Sequence, residues 1–120
     1  MEGKQQILET ISGSAGNLDK LLEVARTEKE MKLRRFAINN LSTPRAASTG
    51  DTLASMYTSE QDQDVKRSII DALASQKNVK AMIQIARAEK DNRMQQRILE
   101  RLVNMKSPEA SDYLMEIIKK

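Results

Sequence analysis

Apolar residues along the 120-residue chain recur at i, i+3 and i+4. Met82, Ile85 and Ala86 form one such stripe; Met94, Ile98 and Leu102 form the next. That spacing lines one face of a helix about three turns long. Period-2 alternation and hairpin dipeptides are absent, which argues against a β-rich fold. The pattern predicts about eight helices, at roughly 2–12, 17–28, 31–42, 49–59, 62–76, 78–89, 91–106 and 108–119. Helix-end residues agree. Asn17 can cap the second helix, and Ser107 before Pro108 supplies both a cap oxygen and a preset first φ. Thr43-Pro44 is similar but runs into a stretch containing Gly50, and Gly weakens a helix interior by about 1 kcal/mol. Residues 43–48 are therefore expected to form a longer loop with at most one turn, and the next helix to begin near Ser48.

The stripes repeat. ARTEKEMKLRRFAINNL at 25–41 aligns with ARAEKDNRMQQRILERL at 86–102, and a third copy lies between, with Leu53, Val65, Ile69 and Leu73 in step. The period is about 30 residues and holds two short helices, the arrangement of an α-solenoid. One domain over 1–120 is expected: a half-repeat at 1–14, repeats at about 15–45, 46–76 and 77–106, and a half-repeat at 107–120. The closing LMEII at 114–118 aligns with LLEVA at 21–25. A chain that starts and ends in mid-repeat is expected to be part of a longer repeat protein, with open ends through which copies could self-associate.

The second helix of each unit carries a pattern: Glu30-x-x-Leu33-Arg34-x-x-Ala37-x-x-x-Leu41, then Asp62, Val65, Lys66, Ile69 and Leu73, then Asp91, Met94, Gln95, Ile98 and Leu102. This resembles the short, bacterial-type HEAT repeat over almost the whole chain. The resemblance implies an all-α fold, a right-handed α-α superhelix of helical hairpins with the second helices on the concave face. It also implies a ladder between neighbouring units, here Glu30/Asp62/Asp91 with Arg34/Lys66/Gln95, in which Gln95 breaks the charge pattern. Such exposed or half-exposed pairs contribute about 0–1 kcal/mol each. Bacterial arrays of this kind are often exported, but nothing in the residues fixes a compartment.

Composition narrows the chemistry. The chain has no His and no Cys, so a His base, a Ser-His-Asp triad, a disulfide and a zinc knuckle are all excluded. Carboxylates cluster at Glu28/Glu30, Glu60/Asp62/Asp64 and Glu89/Asp91, all at helix starts, where they complement the positive dipole end. Residues 60–64 lack the Gly and distal Glu of a calcium loop. No enzyme, cofactor or metal is expected. No apolar run reaches the roughly 20 residues of a membrane span. Aromatic residues are Phe36, Tyr57 and Tyr113 alone, with Phe36 expected in the core. Met56, Met82, Met94 and Met115 fall on apolar positions of the repeat and are also expected there.

The remaining signal lies on the second helices. Arg35, Asn39, Arg67, Asp71, Gln96 and Glu100 occupy their outward positions, and Arg93, Arg97 and Arg101 recur every four residues along one helix. A guanidinium grips carboxylate or phosphate bidentately. Glu89 and Glu100 stand at helical spacing from Arg93 and Arg97 and are expected to neutralise them in part. The net charge of +3 comes from 20 basic and 17 acidic residues and lies entirely in the second half of the chain. These nine residues are the candidate site for a protein or peptide partner. A nucleic-acid module using the arginine stripe is the alternative, though such domains carry a denser basic footprint.

Overall fold

A computed structural model describes residues 18–119. The expected helix at 2–12, the half-repeat at 1–14 and the Asn17 cap lie outside the described residues. Among those described, seven α-helices and one 3-10 helix account for the regular structure: α1 (Leu18–Thr27), α2 (Met31–Asn39), the 3-10 helix (Pro44–Thr49), α3 (Gly50–Ser59), α4 (Gln63–Ser75), α5 (Val79–Ala88), α6 (Asn92–Met105) and α7 (Pro108–Lys119). The protein is all-α.

The helices pair in sequence: α1 with α2, α3 with α4, α5 with α6, and α6 with α7. Neighbouring units then meet helix for helix. α2 packs on α4 and α4 on α6, while α3 packs on α5 and α5 on α7. Two layers result, one of first helices and one of second helices. Leu33, Ile38, Leu53, Ile69, Ile70, Met82, Ile85 and Ile98 fill the single core between them. The radius of gyration is 14.6 Å.

Capping sets the helix starts. The Asp62 carboxylate accepts from the Val65 amide, and Asp91 accepts from those of Arg93 and Met94. Asn78 and Ser107 take the amides of Ala81 and Ala110 in the same way. Each bond satisfies an amide with no partner inside the helix.

The segment at 43–48 departs from the expected loop. Pro44–Thr49 is a 3-10 helix that packs on α1 and buries Ala46, and α3 begins at Gly50 rather than near Ser48. Side chains from the α4–α5 turn hold this insertion. Buried Gln76 donates to the Leu41 carbonyl at 2.9 Å and to Thr49 Oγ1 at 3.0 Å. Asn78 Nδ2 donates to the Ala47 carbonyl at 3.2 Å. Gly50 is the price of that contact: a Cβ there would lie 1.8 Å from Asn78 Nδ2. Its place at the first helical position, not the interior, removes most of the objection to a glycine.

Two core expectations are corrected. Phe36 is half-buried at the edge of the core. Met115 is 52% exposed, although Met82 and Met94 are buried and Met56 is half-buried. The aligned segments 21–25 and 114–118 differ in burial. Ala25 is buried, but Ile118 is 74% exposed, and α7 buries Ala110 and Tyr113 instead. No described helix covers the far side of α7, so its later apolar residues face outward.

Candidate functional site

The inter-unit ladder exists with different acids. Arg34 Nη2 lies 2.5 Å from Glu60 Oε1, and Lys66 Nζ lies 2.7 Å from Glu89 Oε1. Both acids sit two residues before the expected partners. Asp62 and Asp91 are spent on their own helices as caps, and Glu30 occupies the cap position of α2 without a side-chain cap bond. Arg34 Nε also donates to the Ala25 carbonyl at 2.8 Å. Gln95 keeps the equivalent bond, to Ala86 at 3.3 Å, and makes no ionic rung. The rungs are half-buried, at the more buried end of what was anticipated: Lys66 and Glu89 side chains are 12% and 7% exposed.

Lys66 also stands over the Tyr57 ring, 4.8 Å from its centroid, and the Tyr57 hydroxyl donates to Glu89. Burial, then the hydrogen bond to Glu89, pushes the Tyr57 phenol far above its ordinary range. Burial alone would raise the Glu89 carboxyl, but hydrogen bonds from Lys66, Tyr57 and the Asp91 amide outweigh it and hold the group low. Every member of this cluster is engaged, so its role is structural.

The arginines on the second helices face the other way. A cleft of about 430 Å³ between α4 and α6 is lined by Gln63, Arg67, Asp91, Arg93, Met94 and Arg97. A second, of about 420 Å³, lies at the C-terminal ends of the same helices, where Ser75, Lys77, Arg101, Asn104, Met105 and Ser107 are among its walls. Asp71 stands between them. Its carboxylate accepts from Arg101 at 2.9 Å and from Arg97 at 3.3 and 3.4 Å.

Of the nine candidate residues, Arg67, Arg93 and Arg97 therefore meet in one cleft, and Asp71 and Arg101 join it to the other. Gln96 and Glu100 bond each other at 3.1 Å and line neither cleft. Arg35 and Asn39 sit on α2, apart from both; Arg35 is half-buried, with Nε lacking a partner. The expected neutralisation within the helix is not found. Glu89 is taken by Lys66, Glu100 by Gln96, and Arg97 turns across to Asp71. Arg67 pairs with Asp64 one turn away, and Arg93 has no ion-pair partner among the described residues.

Lys77 was not foreseen from the sequence. It takes the left-handed conformation at φ 58°, as does Lys106 at φ 52°, 29 residues on at the next such turn. That recurrence was the available signal. Among the described residues no group of three or more acidic side chains could hold a metal ion, and no helix is long and apolar enough to cross a membrane. Comparison of the chain with family models, curated proteins and solved structures finds no match.

Proposed function

We propose that the chain is a HEAT-like repeat module that binds a protein or peptide on its layer of second helices and carries out no chemistry itself. One observation carries this reading. The clefts along the α4–α6 seam collect four arginines at the surface, whereas Asp62 and Asp91 are committed as caps and Glu60 and Glu89 as rungs. Arginine is enriched at protein interfaces, where its planar fork makes directional contacts at a modest entropic cost. The outer helices offer no comparable concentration of guanidinium groups.

Affinity capture from a lysate of the source organism tests the proposal. The wild-type chain is compared with a variant carrying Arg35→Glu, Arg67→Glu and Arg97→Glu, after circular dichroism confirms that both are helical. A partner held by the wild type and lost by the variant supports the reading. A partner held equally by both moves the interface elsewhere and overturns it.

A further inference from the structure

We propose that the α4–α6 groove takes an extended acidic peptide segment, rich in Asp or Glu, along its length. The proposal rests on the partner-binding reading and adds the chemical class of the ligand.

The two clefts lie along the same α4–α6 seam, one on each side of the bridge from Asp71 to Arg97 and Arg101, which a ligand carboxylate at Arg97 would have to displace or share. On α4 the walls run from Arg67 through Asp71 to Ser75; on α6 they run from Arg93 through Arg97 and Arg101 to Met105. At 1.5 Å per residue, Arg93 to Met105 covers about 18 Å. An extended chain of about five or six residues spans that distance.

The charge along this path is one-sided. Arg67, Arg93, Arg97, Arg101 and Lys77 supply five cations. Asp64, Asp71 and Asp91 oppose them, leaving two positive charges over. The surplus is also distributed suitably. Arg93 at one end has no ionic partner among the described residues, and neither has Lys77 at the other. In the middle, one carboxylate serves two guanidiniums, and its bonds to Arg97 are long. A carboxylate arriving at Arg97 completes a fork that Asp71 only half fills.

Acidic peptide fits better than nucleic acid. Single strands are held by stacking bases on aromatic side chains, and no aromatic residue lines either cleft. Tyr57 and Tyr113 are buried on first helices. Ser75, Asn104 and Ser107 at the far end suit peptide carbonyls and amides, and Met105 and Val79 offer apolar contact for a side-chain stem.

Fluorescence anisotropy of labelled hexaglutamate tests the proposal, with hexaglutamine and a short single-stranded DNA as controls. Binding is expected at about 50 mM NaCl and should weaken steeply by about 200 mM, because the contacts are ionic. Arg93→Glu with Lys77→Glu should weaken it at least tenfold; neither side chain holds the fold by an ion pair, and circular dichroism verifies this. Arg26→Glu, on α1, should leave affinity unchanged. No binding at low salt, equal loss with Arg26→Glu, equal binding of hexaglutamine, or tighter binding of DNA overturns the proposal. If hexaglutamate fails while the captured partner is still lost on reversing Arg35, Arg67 and Arg97, the acidic class falls and the partner-binding reading stands. If that partner is also indifferent to the reversal, both fall.

Discussion

Lys66 Nζ on α4 and Glu89 Oε1 in the α5–α6 turn stand 2.7 Å apart, with the Lys66 ammonium over the ring of Tyr57. Both residues are half-buried, so each charge depends on the other. Removing one partner of a buried pair costs up to about 3 kcal/mol; here Glu89 would lose its counter-ion while keeping its bonds from Tyr57 and the Asp91 amide. Lys66→Met should therefore destabilise the fold by up to that amount in urea unfolding. By contrast, the Arg67–Asp64 side chains are 44% and 57% exposed, and Asp64→Ala should cost less than about 0.5 kcal/mol. Similar losses for the two variants would contradict the assignment of Lys66 as an inter-unit rung.

The same cluster fixes how stability changes with pH. Glu89 has a lowered carboxyl pKa in the fold, so its contribution is complete above the ordinary carboxyl value and is lost as pH falls through the lowered one. Tyr57 is the reverse case. Its raised phenol pKa gives a contribution complete below 10.0, the ordinary value, and lost as pH rises beyond it. Tyr113 is also raised, chiefly by burial, with Arg87 opposing. With no Trp in the chain, phenolate absorbance of a Tyr113→Phe variant reads Tyr57 alone. It should stay flat through the ordinary phenol range and rise together with loss of helical signal. Ionisation near 10 in a folded chain would show that Tyr57 is not held as described.

Gly50 sets helix propensity against packing. Propensity favours Ala, by less than the roughly 1 kcal/mol of a helix interior because Gly50 is the first helical residue. A Cβ at this position, however, displaces Asn78, which caps α5 and bonds the Ala47 carbonyl. Losing the cap costs about 1 kcal/mol and the bond about another. Gly50→Ala should thus lower stability by about 1 kcal/mol. In an Asn78→Gly background, where the obstacle is gone, the same substitution should raise it. Thermal unfolding of the four proteins decides the matter.

Lys106 ends α6 in the left-handed conformation, which costs a non-glycine residue about 1–2 kcal/mol. Glycine is the usual solution at such an end. Lys106→Gly should stabilise the chain by up to about 1 kcal/mol, part of the relief being offset by the freer unfolded chain. A loss of stability would mean that the Lys106 side chain does more than end the helix.

Much of the fold was legible because helix ends announce themselves. Asp62, Asn78, Asp91 and Ser107 combine short oxygen-bearing side chains with an apolar stripe that follows at once, and each begins a helix within a residue of its expected place. What failed was partner choice between units. Glu60 and Asp62, or Glu89 and Asp91, are indistinguishable as charges in a repeat alignment. The shorter acid is captured by its own helix amides, and only the longer one is left to reach the neighbouring unit. The groove was half legible. Periodicity put Arg93, Arg97 and Arg101 on one stripe, but the turn of Arg97 and Arg101 toward Asp71 depends on how α4 and α6 pack. Lys77 was missed because left-handed backbone at a lysine has no propensity signal, and only its recurrence at Lys106 marks the turn.

Nuclear magnetic resonance of the isotope-labelled chain, titrated with hexaglutamate at low salt, tests the binding face most directly. The account predicts that perturbed amide and guanidinium signals concentrate on α4 and α6, around Arg67, Arg93, Arg97 and Arg101. Perturbations concentrated on α3, α5 and α7, or none at all, would contradict it.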